Sequence, residues 1–510
     1  MPPQDGCFVL DVPAHGVTKG TTRQSLAIAG GFLRAGDLAR AEQAFLQIAR
    51  QDPLSGETRF FLGLIHQQRK DLETATHHYE HALRLAPDLA EARNNLGVIL
   101  QSRGRLDEAE ACFREALKLE PDYAEAHNNL GNALQDQGRF EEAITTYRQA
   151  LHFRPGYVEA LKHLGNALRA LGRLTEAIAC YDEGLRHAPD HALLHMSRAM
   201  VWLQSGDFAR GWPECEWRLR GQDLLIHRLP QPVWDGSELG GRTILIVAEQ
   251  GLGDTIQFIR YAPLVARRGG RVVVSCARML SQILATCPGV DQVIIEGDPL
   301  PEFACHTPVM SLPAILGTTL QTIPVEVPYL AADPSLVARW RVALGGIDEF
   351  KIGVVWQGNP VHTKDRERSF RLAQLERVAR VPGVRLFSLQ KNFGLDQIEA
   401  VSDRFHVTGL GHRLDDFVDT AAVMRNLDLV ISADSSPAHL AGALGVPVWM
   451  PLPYISDWRW MTDRGDTPWY PTMRLFRQRR FGDWDELFAR LARELTAARI
   501  FHSRGQLPCR

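Results

Sequence analysis

Over roughly the first 220 positions, apolar residues recur at the spacing of paired amphipathic helices, and the pairs themselves recur every 34 residues. Leu62, Leu96, Leu130 and Leu164 share one phase, each followed by a glycine that lets two helices approach closely. Ala41, Ala75, Ala109, Ala143 and Ala177 share a second, with Phe45, Tyr79, Phe113, Tyr147 and Tyr181 four residues later on the same helical face. Gly36, Gly104, Gly138, Gly172 and Gly206 close first helices, Lys70 standing alone against the series, and Pro53, Pro87, Pro121, Pro155 and Pro189 stop the second ones. Beyond residue 240 the pattern changes to short unbroken runs of β-branched and apolar residues separated by helical segments: 243–248, 271–275 and 292–296, then 351–356, 384–389, 406–407, 427–432 and a last strand at 446–450. Such runs predict strands buried on both faces, so two successive parallel sheets with helices on their faces are expected.

The 34-residue helix-turn-helix unit resembles the tetratricopeptide (TPR) repeat over residues 22–191, and a sixth, degraded unit is expected from Ala192 to about Leu224, where Trp202 and Gly206 survive. A stack of such units has a concave groove lined by first helices. Asn94, Asn95, Asn128, Asn129, Asn132 and Asn166 cluster there, with Asn95, Asn129, Asn132 and Asn166 as candidate acceptor-groove residues, because amides both donate to and accept from an extended peptide. They equally fit polar surface positions of a well-formed repeat. The ladder is similar to the asparagine-lined groove of the O-linked N-acetylglucosamine transferases, which implies a protein or peptide acceptor.

The chain has 510 residues, enough for three or four domains. The expected division is an N-terminal tail at 1–21, a solenoid at 22–224, a Pro/Trp/Gly connector at 225–240, and α/β domains at 241–340 and 350–500. A net charge of −3 offers no electrostatic footprint for nucleic acid or an anionic membrane. Eight cysteines, Cys7 and Cys509 among them, lack metal or disulfide spacing, and no apolar run reaches the roughly 18 residues of a membrane span; a cytoplasmic protein is expected. Gly251-Leu-Gly253 lacks the third glycine of a dinucleotide fingerprint, and no Walker-type loop or convincing Asp-x-Asp metal clamp occurs.

Two strand-end segments carry candidate chemistry. The first is Gly251-Leu-Gly253-Asp254; the second is Asp434-Ser435-Ser436-Pro-Ala-His439, running on through Leu-Ala-Gly-Ala-Leu-Gly-Val-Pro447. A helix start with two hydroxyls suits the phosphates of a sugar diphosphate, Asp434 could accept from sugar hydroxyls, and a protonated His439 could neutralise a phosphate. The same spacing also fits a helix cap with a packed histidine, and Asp254 an N-terminal cap. Asn359, Lys364, Arg366 and Arg368 follow the first strand of the last domain, with Lys391 further on, as cations and polar groups for a leaving diphosphate; as a charge run they would be solvated surface. Trp458, Trp460, Trp469 and Tyr470 could wall a nucleotide or fill a core.

Both segments together resemble the heptosyltransferase-like group of GT-B glycosyltransferases. The whole layout, with repeats in front and Asp457-Trp-Arg-Trp460 and Pro468-Trp-Tyr-Pro471 behind, is similar to bacterial TPR-containing glycosyltransferases over about residues 22–495. The resemblance implies a multidomain protein, an all-α TPR solenoid followed by a GT-B-type pair of Rossmann-like domains. It implies inverting transfer from a nucleotide-sugar co-substrate with no cofactor and no metal. Asp254 falls at the position of the family's catalytic base. Gly251, Gly253, Asn359, Lys364, Arg366, Arg368, Lys391, Asp434, Ser435, Ser436 and His439 fall to the donor. Ser436-Pro437 departs from the small and branched pair of relatives, and the proline suits a first helical turn. Two alternatives remain: transfer onto lipopolysaccharide or another glycan, and a repeat scaffold whose α/β half is inert.

Overall fold

The computed structural model describes residues 20–220, 225–345, 349–361 and 365–503. Lys364, Cys7, Cys509 and most of the expected tail lie outside the described residues. The chain divides into two compact units, Met1–Pro189 and Asp190–Arg510.

The first unit is a tetratricopeptide-repeat solenoid of helix pairs: α1/α2 (Gly20–Arg34, Leu38–Gln51), α3/α4 (Gly56–Gln68, Leu72–Leu85), α5/α6 (Ala90–Ser102, Leu106–Leu119), α7/α8 (Ala124–Asp136, Phe140–Phe153) and α9/α10 (Val158–Ala170, Leu174–His187). Each recurring Leu-Gly glycine abuts the aromatic ring of its own repeat. A Cβ on Gly131 would lie 2.4 Å from the Tyr147 ring, and one on Gly97 2.7 Å from Phe113. Between paired helices the chain passes through a left-handed residue, φ 72–78° at Gly36, Gly104, Gly138 and Gly172. Lys70 takes the same conformation, φ 63°, without glycine's freedom. The second helices start on Asp37 and Asp71 caps, or on arginines that pair three residues ahead, as Arg105 does with Glu108.

The second unit opens with the expected sixth pair, α11/α12 (Ala192–Gln204, Phe208–Cys215). Its apolar face is built into the α/β core. Trp212 meets Trp458, Phe258 and Trp469 edge-on at 5.4, 6.3 and 6.4 Å and donates from Nε1 to Thr318 O. A four-stranded parallel sheet follows: β1 (Thr243–Val247), β2 (Arg271–Cys276), β3 (Gln292–Ile295) and β4 (Cys305–Pro308), in the order β3-β2-β1-β4. Helix α13 (Leu252–Phe258) leaves the end of β1. A six-stranded parallel sheet comes next, β5 (Phe350–Val355), β6 (Val384–Ser388), β7 (Val407–Gly409), β8 (Leu429–Ser432), β9 (Val448–Leu452) and β10 (Met473–Arg477), in the order β10-β9-β8-β5-β6-β7. Helix α14 (Ser436–Ala443) follows β8, and α15 (Trp484–Ser503) is the last helix among the described residues. Both sheets are Rossmann-like.

Two strands correct the sequence expectation. β4 reads Cys-His-Thr-Pro and β10 Met-Arg-Leu-Phe-Arg, neither a β-branched run, so Val448–Leu452 is not the last strand. Strand order reverses between β1 and β4 in one sheet and between β5 and β8 in the other. Ligands of open α/β sheets bind beyond the carboxyl ends at such reversals. The segments that follow β1, β5 and β8 carry Asp254, Arg368 and Asp434. Among the described residues no helix is long and apolar enough to cross a membrane.

Candidate functional site

At the end of β1 the chain turns through Gln250, a non-glycine residue at φ 61°, and enters α13 at Gly251. Asp254 stands at the third position of α13 and not at its N-cap, which is Gly251; it reaches back to accept from Gly251 N–H (2.9 Å), while its Oδ1 accepts from Arg459. Gly253 serves packing between helices: a Cβ there would lie 2.9 Å from His439 Cδ2 and 3.6 Å from Ser436 Cα. Helices α13 and α14 therefore touch, one from each sheet, and the carboxylate at 254 and the segment 434–439 face one another within the second unit.

Arg459 joins them. It sits in the 3-10 turn Trp458–Trp460, where Asp457 caps the turn by accepting from Arg459 N–H (3.1 Å). Its guanidinium donates to Asp254, to Asp457 Oδ1 (2.9 Å) and to Gln257 Oε1 (2.6 Å). Trp460 Nε1 donates to Asp434 Oδ2 at 2.7 Å. Directly after the turn, Met461 adopts φ 56°, ψ −160°, a region that normally belongs to glycine. Two of the strained non-glycine residues thus flank the site, Gln250 on one strand end and Met461 on the turn.

Burial and the neighbouring Asp457 carboxylate push the Asp434 pKa up to about 6, against the pull of the Trp460 hydrogen bond and the Arg459 and Arg368 charges. His439 goes the other way. Burial, with Arg459 beside it, drives its pKa down to about 3, and Nδ1 meets the Tyr470 hydroxyl at 2.9 Å. The expected phosphate-neutralising charge on His439 is corrected accordingly: at neutral pH the imidazole is uncharged and packed. Ser435 Oγ donates to Ala433 O (3.1 Å) and makes no capping bond to α14; of the first positions of that helix, Pro437 has no N–H and the Ala438 N–H donates to Ser435 O (3.0 Å).

Arg368 belongs to the same group. Its Nε lies 3.3 Å from buried Asp365, and its charge acts on both Asp434 and His439. Gly358 leaves the room: a Cβ there would fall 2.6 Å from the Arg368 guanidinium. Buried Gln390 holds the β5 loop, accepting from Trp356 and Gln357 N–H (3.1 Å each). Two other expected residues described in the β5 loop face solvent. Asn359 is exposed and accepts from Val361 N–H, and Arg366 is exposed. Lys391 Nζ is committed to Leu414 O and Asp415 O (2.5 and 2.6 Å). Trp458, Trp469 and Tyr470 are core, while Trp460 is core with one polar atom on Asp434. Sequence reasoning missed Arg459 and Asp457 as site residues, although the Asp-Trp-Arg-Trp motif containing them was visible; a charged pair wedged between tryptophans was the available signal. A cavity of about 470 Å³ lined by Leu395, Ile398, Phe405, His406 and His412 lies at the β7 edge, and none of the expected site residues lines it. Among the described residues no group of three or more His, Cys, Asp or Glu is arranged to hold a metal ion.

In the solenoid the candidate groove asparagines are already hydrogen-bonded. His163 Nδ1 donates to Asn128 Oδ1 (2.9 Å), Asn128 to Asn129 (3.4 Å), Asn129 to Asn94 (2.9 Å), Asn94 to Asn95 (3.2 Å), Asn95 to Tyr79 Oη (3.3 Å) and Tyr79 to Gln67 (2.6 Å). One directed chain of donors runs from α9 back to α3. Asn132 and Asn166 accept from the Tyr147 and Tyr181 hydroxyls at 2.8 Å each. Where the aromatic is Phe113, with no hydroxyl, the matching position is Val98.

Fold and site together define a chain with tetratricopeptide repeats and a Rossmann-like α/β region that gathers four carboxylates, Asp365 included, and two arginines beyond its strands. Tetratricopeptide repeat families match residues 55–119, 88–156 and 134–201. Protein FlbA of Caulobacter vibrioides is 28% identical over 354 residues, which cover 61% of this chain and 56% of FlbA, so the chain spans little more than half the length of that curated relative. Among solved structures, PilW, a widely conserved type IV pilus biogenesis factor, is similar at 22% identity over 40% of this chain and 94% of its own, with a TM-score of 0.37. YrrB, a TPR protein with an unusual peptide-binding site, is similar at 20% identity over 33% of this chain and 88% of its own, with a TM-score of 0.29.

Proposed function

We propose that the chain is an inverting glycosyltransferase of the GT-B kind that takes its sugar from a nucleotide-sugar donor. The observation that carries this is the meeting of Asp254 on α13 with the start of α14 through Arg459, at two topological reversals at once. An acceptor hydroxyl attacks the anomeric carbon and passes its proton to the Asp254 carboxylate; the bond from that carbon to the diphosphate oxygen breaks, and the nucleoside diphosphate leaves. Arg368 and Arg459 compensate charge growing on that leaving group, with the positive end of the α14 dipole beside it. Asp434 is placed to accept from sugar hydroxyls. A single displacement inverts the anomeric configuration.

The acceptor is proposed to be a protein or peptide held by the repeats. Of the candidate amides, the Nδ2 groups of Asn132 and Asn166 are the ones with no partner among the described residues. The commitment of the others to the internal donor chain favours the second reading, transfer to a glycan with the repeats used for assembly. Cys112, Cys180, Cys215, Cys276, Cys287 and Cys305 stand free, which supports a reducing, cytoplasmic setting. Asp254→Asn tests the reaction: sugar transfer should fall by at least about 100-fold while donor binding is retained, and unchanged turnover would remove Asp254 from its role.

A further inference from the structure

Arg459 is only 8% exposed, and its Cζ lies 4.6 Å from the Trp458 ring and 5.7 Å from the Phe258 ring. Such a cation must be used by whatever lies in front of it, because it has little water to turn to. Building on the transferase reading above, we propose that Arg459 is a donor-sensitive latch on the base: the guanidinium arm that holds Asp254 is taken over by the donor's diphosphate, and Asp254 becomes a proton acceptor only once donor is bound.

Both carboxylate oxygens of Asp254 are occupied in the unliganded chain, one by Gly251 N–H and one by Arg459. Held at both oxygens, the carboxylate has to let go of Arg459 before it can turn Oδ1 to an acceptor hydroxyl. Through Trp460, the residue next to it, Arg459 is fixed beside Asp434 at the start of α14, and the charges of Arg459 and Asp434 act on each other. The diphosphate is expected at that same helix start. Four carboxylates, Asp254, Asp365, Asp434 and Asp457, share two arginines, Arg368 and Arg459. A dianion entering here competes with these carboxylates for the same two guanidinium groups. Asp457 caps its own turn and Asp434 is tied to Trp460, whereas Asp254 belongs to the opposite sheet and is the partner that can be released. A diphosphate presents several charged oxygens to a forked donor and competes well for it. Acceptor hydroxyls arriving before donor would then find no base.

Linkage makes the competition measurable without turnover: if diphosphate weakens the Arg459–Asp254 pair, Asp254 weakens diphosphate binding by the same factor. Calorimetric titration of the full chain with UDP, GDP, CDP, ADP and inorganic pyrophosphate is the test. Asp254→Asn should tighten binding of the preferred diphosphate by about fivefold or more, Arg459→Gln should weaken it, and Asp254→Asn should give no gain in the Arg459→Gln background. Arg459→Lys, which keeps a charge, replaces the glutamine variant if that one does not fold. Binding by the wild-type chain with no gain from Asp254→Asn, or a gain that survives loss of Arg459, overturns the latch and leaves the transferase reading standing. Failure of the wild-type chain to bind any of the five removes both.

Discussion

Asp434→Asn should stabilise this protein, and the gain should depend on pH in a direction fixed by the site. The folded pKa of Asp434 is raised from an ordinary 3.8 to about 6, chiefly by burial and then by Asp457. The contribution of this group to stability is therefore fully present below pH 3.8 and is lost as pH rises through 6, because the unfolded chain ionises more readily than the folded one. A rise of two units corresponds to about 3 kcal/mol, and the open side of the site screens part of it, leaving a gain of about 1–2 kcal/mol at pH 8. Asparagine keeps an oxygen for Trp460 Nε1, so little else changes. The assay is thermal unfolding of variant and wild type in parallel from pH 8 downward. A rise in melting temperature of about 2–4 °C at pH 8 should fall to about a third of that at pH 4.5 and toward nothing below pH 3.8. His439 pulls against this in both proteins: held neutral with a pKa near 3, it lowers stability as pH falls below its ordinary 6.5. It cancels in the difference between variant and wild type. A gain of equal size at both ends of the range would mean that packing, and not the buried charge, separates the two proteins, and a loss at pH 8 would refute the reasoning outright.

Two further outcomes follow from the solenoid. Lys70→Gly relieves a left-handed backbone at an exposed helix end and should raise the urea midpoint of helix loss by an amount equivalent to about 0.5–1 kcal/mol, whereas Arg69→Gly, one residue earlier in the helical region, should lower it. Tyr147→Phe and Asn132→Val should each destabilise by about 1 kcal/mol through an orphaned polar group, and the double variant should cost less than their sum, since the third repeat already pairs Phe113 with Val98.

The repeats were legible because each of their requirements is local. A glycine that must admit a ring, a left-handed turn residue and a proline stop all fall within one 34-residue unit, and even the exception at Lys70 showed in the sequence. The asparagines were visible as a cluster, but their partners were not; the signal was there in the exchange of Tyr147 with Asn132 for Phe113 with Val98. β4 and β10 were missed because each is the edge strand of its sheet, where His, Pro and Arg are tolerated and no unbroken β-branched run is needed.

The site was legible one end at a time. Asp254 and Asp434 each close a strand and open a helix, and such positions advertise themselves through glycine, serine and proline nearby. What the sequence withheld is the group that turns two strand ends into one site, an arginine 205 residues from the carboxylate it holds. No local pattern marks such a residue, since its role is set by the packing of α13 against α14, and that packing rests on the absence of a side chain at Gly253. The same contact accounts for His439. An imidazole close enough to forbid a Cβ at Gly253 is too buried to carry charge, so the closeness that assembles the carboxylates and arginines also removes the histidine from the pool of cations. The anionic ligand proposed here must therefore be held by Arg368, Arg459 and the start of α14.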